Sequence, residues 1–234
     1  SLQWHDKIGR YTIMLTLLIA LTGWCLRPPV MIALVLNKMP SIPGTTLHSK
    51  NPWNDKLRVV RYDEKFGDWL LSTSDGFFSV NFQTGKLESI SNTPPVSVMG
   101  LNVLQQNKDG KWYCGSFSGL FVWDRVKGTT VDYSTGKAAL KNTGAPFGKK
   151  AIAGMSQDFS DTPVIAEYNE GTDFAPQPAY MNQLPMSLWN VALEAHSGRI
   201  FIGSIATYIF IFVMGILAVW CLWSGYVIRL VKKK

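Results

Sequence analysis

Hydrophobic and polar positions divide the chain into three regions. The run "YTIMLTLLIALTGWCL", Tyr11 to Leu26, carries no charge over 16 residues, and a second run from Ile200 to Ile228 is uncharged over 29 residues. A helix needs about 20 apolar residues to cross a hydrocarbon core about 30 Å thick. The second run therefore predicts a transmembrane helix, and the first reaches the same length when its pattern is extended back through Ile8 and forward to Arg27. Between them the period changes. Short apolar stretches alternate with the turn signals "SDG", "QTG", "KDG" and "VKG", the pattern of strands joined by tight hairpins. The predicted fold class is a membrane protein with two transmembrane α-helices flanking an exported, mostly-β domain.

That middle region contains a repeat. "GDWLLSTSDGFFSVNFQTGK" from Gly67 aligns without a gap to "GKWYCGSFSGLFVWDRVKGT" from Gly110, at a spacing of 43 residues. Four-stranded units of about 40 to 45 residues are the period of propeller blades. Two clear copies, near 67–87 and 110–130, with a degraded third over Gly144 to Asp173 that includes "TPVIAEY", are too few for a ring, which starts at about four blades. The expectation is a compact twisted assembly of two or three blade-like units. Its core is expected at Trp69, Phe77, Phe78, Trp112, Phe121 and Trp123, with Trp69 and Trp112 buried at equivalent positions.

The resulting division is 1–27 for the first membrane helix with a cytoplasmic start, 28–62 for a periplasmic connector and 63–186 for the β domain. Residues 187–229 form the second membrane helix and 230–234 a basic tail. The first run lacks a small-residue cleavage site and is followed by "RPP", so it reads as a retained anchor rather than a signal peptide. The numbering opens at Ser1 without a methionine, and a short preceding segment is expected.

Charge orients the chain. Thr45 to Leu188 holds 14 basic and 14 acidic residues, so the net charge of +7 comes from segments beside the apolar runs. Lys7 and Arg10 precede the first run and "RLVKKK" ends the chain. Excess Lys and Arg beside a span stays cytoplasmic, which places both termini inside a bacterial inner membrane and the middle domain in the periplasm. The terminal cluster is short and has no interleaved aromatics, so no nucleic-acid partner is expected. The three cysteines, Cys25, Cys114 and Cys221, make no obvious disulfide pair; Cys114 reads as a small buried residue in a strand.

Candidate chemistry is sparse. No nucleophile elbow, phosphate loop or metalloprotease His-Glu pair occurs, so no catalytic residue is assigned. His48 lacks companions at metal-ligand spacing and reads as a loop residue. The other two histidines stand at membrane edges: His5 precedes Gly9, and His196 precedes Gly198 and Gly203. Small residues let a helix or a flat ring approach the backbone closely. Trp189, Leu193 and Ile200 recur at helical spacing, so the second helix is expected to start near Ser187 and to carry His196 into the membrane against a protein or cofactor surface.

"HDKIG" with its apolar run and "LTGW", and "LEAHSGRIFIG" with its long run ending "LWSGYVI", resemble the two ends of PepSY-associated transmembrane helix proteins. The match His196, Gly198, Arg199 is its most specific part. The resemblance implies an inner-membrane accessory or redox component of iron-siderophore uptake or a related envelope system, with haem b held by His5 and His196. The chain departs from the family in having two predicted spans where the larger reductases have more, and blade-like repeats where they carry a PepSY domain. With both termini inside, His5 stands at the inner face and His196 at the outer face, most of a helix length apart. Each would then need its second ligand from another inner-membrane subunit or a second copy. The alternative is that both are interfacial edge residues of a cofactor-free scaffold subunit in a larger membrane complex. Whether the chain is an enzyme stays open.

Overall fold

The computed structural model of the chain describes residues 2–35, 37, 39–51, 53–97, 99–140, 148, 150–158, 160, 162–172, 180, 183–196, 198, 200 and 204–231. These belong to two compact units, Ser1–Lys38 with Gln183–Lys234, and Met39–Asn182.

The second unit is built of antiparallel sheets. β1 (Leu57–Asp63), β2 (Asp68–Thr73), β3 (Gly76–Asn81) and β4 (Leu87–Ser89) form a four-stranded meander in sequence order. β5 (Leu101–Gln106), β6 (Trp112–Ser116), β7 (Gly119–Asp124) and β8 (Thr129–Asp132) form a second meander of the same order. β9 (Ile152–Ser156), β10 (Val164–Glu167) and β11 (Gly171–Thr172) make a third sheet, in the order β11-β10-β9. Among the described residues these three sheets do not close into a propeller ring. β1 begins inside the stretch expected as connector, and β10 falls on the "TPVIAEY" segment.

The repeat maps strand on strand. Trp69 pairs with Val80 across β2 and β3, and Trp112 pairs with Trp123 at the same place across β6 and β7. Both central hairpins turn on a glycine with positive φ, 131° at Gly76 and 136° at Gly119. A side chain is disfavoured in that region. Next along, Asn81 and Asp124 open matching turns, each accepting two backbone N–H bonds on its side-chain oxygen.

Alternation along the strands gives each sheet two faces. One face of the first sheet, carrying Leu70 and Phe77, packs on the face of the second that carries Leu104, Trp112, Cys114 and Trp123. The second sheet's opposite face, with Val103, Tyr113 and Leu120, packs on Ile152, Met155 and Ile165 of the third. Fully burying such side chains contributes roughly 1.5–3 kcal/mol each. Gly115 makes the second contact close: a Cβ there would lie 2.8 Å from Val103 Cβ and 3.0 Å from Ile152 Cγ2. The sheets thus stack in series, each presenting one face forward and one back.

This order corrects one expectation. Trp112 is 1% exposed, but Trp69, at the same place in its own sheet, is 36% exposed. Both point to the back of their sheets. The back of the second sheet is covered by the first, and among the described residues no sheet stands on the back of the first. Phe78, on the same side of the sheet, is half-buried, with the Trp53 ring edge-on at 6.2 Å.

The other unit contains α1 (Leu2–Cys25), α2 (Val30–Val35), α3 (Leu188–His196) and α4 (Ser204–Val231). One helix among the described residues is long and apolar enough to cross a membrane: its span runs Ile205–Ile228, 24 residues with mean hydropathy 2.5. The apolar part of α1, Tyr11–Cys25, is shorter. α1 packs on α4 through Trp24, whose ring lies 5.8 Å from that of Phe212 and against Gly215, where a Cβ would lie 2.6 Å from Trp24 Cγ. The continuous helix expected over 187–229 is instead two helices. Gly198 adopts φ 71°, its N–H bonds to Ala195 O at 3.1 Å, and the N–H of Ile200 returns to Glu194 O at 3.2 Å. A left-handed glycine just past the last turn terminates a helix in this way.

Candidate functional site

The histidine corner is built by that helix stop. Ser187 caps α3, its Oγ accepting the N–H of Asn190 at 3.2 Å, so α3 starts where an N-cap serine predicts. His196 is its last residue and is exposed. Gly198 is buried, and its carbonyl accepts the Thr207 hydroxyl at 3.0 Å, with Thr207 itself buried. A Cβ on Gly198 would stand 2.8 Å from Phe210 Cδ1 and 3.5 Å from Ile211 Cγ1. The close approach that glycine permits is therefore taken up by α4 of the same chain.

His5 and Gly9 fall on α1, but their surroundings lie outside what is described, as do Arg199 and Gly203. Among the described residues no group of three His, Cys, Asp or Glu could hold a metal ion. Among the described residues the corner does not form a haem cradle: the space at Gly198 is filled by Phe210, and His196 is exposed. A haem there needs its second ligand and its walls from another polypeptide. His48 sits on an exposed loop, with Nδ1 3.1 Å from Ser41 Oγ.

The polar cluster that sequence reasoning missed lies between the first two sheets. Asp63 is 0% exposed and Asp68 9%. Arg125, from the turn after β7, donates to both carboxylates of the first sheet, reaching Asp68 Oδ1 and Oδ2 at 3.0 and 2.9 Å. Trp112 Nε1 donates to Asp63 Oδ2 at 2.9 Å, and Gln106 Nε2 and the Lys65 amide complete Asp63 Oδ1. The guanidinium lies 4.2 Å over the Phe66 ring. Burial alone would pull its pKa down, but the hydrogen bonds and charges of Asp68 and Asp63 outweigh that and hold it above the usual value. Charge-assisted, bidentate bonds are strong and directional. Every member is engaged within the protein, so the cluster clamps the two sheets together. Cys114, beside it in the core, has its thiol pushed up by burial, the state of an inert structural cysteine.

Sequence signals for this clamp were weak because its charged members do not repeat. The repeat places Lys111 opposite Asp68 and Phe82 opposite Arg125, and Phe82 is 77% exposed.

Two further surfaces complete the unit. A groove of about 550 Å³ opens between the β2–β3 turn and the linker from β4 to β5, lined by Arg58, Asp75, Asn92, Thr93 and Thr130 among others. Asp75 there is paired to Lys56 at 2.9 Å. The second surface is the partly covered back of the first sheet, where Val60, Tyr62 and Trp69 are 42%, 47% and 36% exposed while Leu71 is 8% exposed.

No protein-family model matches the chain, and no characterised protein matches it either.

Proposed function

We propose that the chain is a membrane-anchored accessory component of a bacterial envelope system, holding its β unit on the periplasmic side of the inner membrane, where that unit works by contact with a partner. The observation that carries this reading is the presence, in one chain, of a 24-residue apolar span and a stack of sheets clamped by the buried cluster of Asp63, Asp68, Trp112 and Arg125. The helix anchors; the sheets offer surface. α1 serves as the second span and both termini stay inside, as the basic flanks at Lys7, Arg10 and Lys232 to Lys234 favour. Iron or siderophore uptake is the setting that the resemblance to PepSY-associated helices supports.

A second reading is favoured by the exposure of His196 at the end of α3: a redox role in which His196, and His5 at the opposite leaflet, each meet a haem b whose other ligand a partner provides. The visible spectrum of the full chain, purified in detergent from membranes of its own host, separates the two. A Soret band that shifts on reduction and is lost in His196→Ala establishes the redox reading; a featureless spectrum removes it. The anchored topology is tested by lysine labelling of sealed, right-side-out cells. Lys86 should react and the tail lysines should not, and labelled tail lysines would overturn it.

A further inference from the structure

α3 turns its apolar side away from the protein. Wound at about 3.6 residues per turn, Leu188, Trp189, Val191, Ala192 and Ala195 share one side of it, and Asn190 and Glu194 lie on the other. The whole of that apolar side is exposed, Leu188 at 86% and Trp189 at 70%, whereas Leu193 and Glu194 are half-buried. A helix on a protein surface in water does the reverse, burying its apolar stripe and leaving the polar one to solvent. The depth at which α3 ends supplies the reason. Its last turn runs into Gly198, whose carbonyl accepts the Thr207 hydroxyl at 3.0 Å and whose Cα faces the side chains of Phe210 and Ile211. These three belong to α4 inside the apolar span Ile205–Ile228. At a rise of about 1.5 Å per residue they lie roughly 3–9 Å along the span from its start. An amphipathic helix lying in a membrane surface buries its apolar side to about 5–10 Å, the same depth.

We infer that α3 is an interfacial helix, lying in the lipid leaflet at the start of α4 with Leu188, Trp189 and Ala192 at the boundary between head groups and acyl chains. Lipid is what covers the exposed apolar side. A helix running unbroken from Leu188 to Ile205 would put Leu188 roughly 25 Å outside the span. The left-handed stop at Gly198 prevents that, and its missing side chain lets the end of α3 settle against α4, since a Cβ there would stand 2.8 Å from Phe210 Cδ1. α3 carries no Lys or Arg, so apolar area holds it in the leaflet and attraction to anionic lipids does not. The inference rests on the reading of α4 as a membrane anchor and adds a second lipid contact, one that fixes the depth at which α4 sits.

The test reads depth in the bilayer, using the full chain in phosphatidylcholine vesicles with Cys25 and Cys221 replaced by Ser. Cys114 is 1% exposed and stays unlabelled. The environment-sensitive fluorophore nitrobenzoxadiazole is attached at Leu188→Cys, Asn190→Cys, Ala192→Cys or Ile216→Cys, the last an exposed position within the span of α4 that reports the anchor alone. Thermal unfolding establishes that each variant stays folded. Lipids brominated on their acyl chains should quench the Ile216→Cys label, and should quench the Leu188→Cys and Ala192→Cys labels about twofold or more beyond the Asn190→Cys label. Adding anionic phosphatidylglycerol should leave these ratios unchanged. An unquenched Ile216→Cys label would overturn the anchor reading and this inference with it. If Ile216→Cys is quenched while Leu188→Cys and Ala192→Cys are quenched no more than Asn190→Cys, the interfacial helix alone is overturned. Labels at Leu188→Cys and Ala192→Cys that are blue-shifted yet unquenched would place that side against a partner protein or a second copy, which overturns it as well, and so would quenching that depends on anionic lipid.

Discussion

The first and second sheets are two copies of one repeat, and they differ chiefly in what lies behind them. Trp69 and Trp112 hold equivalent positions in the second strand of their sheets, in the same register of the central hairpin, yet one is 36% and the other 1% exposed. Local sequence sets the strand and the face a residue points to. Burial is then decided by whether another sheet stands on that face. The same indole is core in the second sheet and surface in the first.

The sharpest way to break that comparison is to truncate both indoles. Trp112→Ala should destabilise the β unit by about 3–5 kcal/mol, at the upper end because it also removes a donor from the buried Asp63 carboxylate. Trp69→Ala should cost under about 1 kcal/mol in a monomeric sample, as a half-exposed residue loses little burial and leaves no cavity. Urea unfolding of the full chain followed by fluorescence measures both. Equal costs would mean that the stack does not order the sheets as described.

The clamp gives the next largest effect, again set against its counterpart. Arg125→Met leaves Asp63 and Asp68 buried without their cation and should cost about 3–5 kcal/mol. Phe82→Ala, at the matching place in the first sheet, should lie within about 0.5 kcal/mol of wild type, as an exposed surface change does. A cost below about 1 kcal/mol for Arg125→Met would show that the sheets are held by apolar contacts alone.

The same comparison shows why some features were readable in the sequence and others were not. Strands and hairpins were legible because alternation, the glycines at Gly76 and Gly119, and the turn residues Asn81 and Asp124 are local signals. The exposure of Trp69 was not, because no residue near it in sequence records that its sheet is first. The clamp was hidden for a related reason: Asp63 and Asp68 face each other within the first sheet, but Trp112 and Arg125 of the second sheet reach them only through stacking. The apolar helix over Ile205–Ile228 followed from length and composition. The break before it could have been read from Gly198, two residues after His196, had helical periodicity not been extended through it. His196 was expected within one continuous helix entering the membrane; the stop at Gly198 instead leaves it exposed on the last turn of a short helix.

The smallest expected effect sharpens the comparison at the level of a single atom. Asn81 and Asp124 open equivalent turns: Asn81 Oδ1 accepts the amides of Gln83 and Thr84 at 3.0 and 3.1 Å, and Asp124 Oδ1 accepts those of Val126 and Lys127 at 3.0 and 3.1 Å. The turns close on glycines of the same φ, 64° at Gly85 and Gly128. Only the aspartate titrates. The hydrogen bond from the Lys127 amide holds its pKa below the ordinary 3.8, against an opposing push from burial and with help from the Val126 amide and the charges of Lys127 and Lys111. A depressed carboxylate pKa in the folded state contributes stability that is present above the unfolded value and is lost as pH falls through the folded one. In NMR spectra, the Val126 and Lys127 amides should therefore shift with a midpoint below 3.8, while the Gln83 and Thr84 amides should not follow that transition. Asp124→Asn should make the second turn as indifferent to pH as the first, with the fold intact. A midpoint at or above 3.8, or an equal response in the Asn81 turn, would show that the two turns do not hold their amides alike.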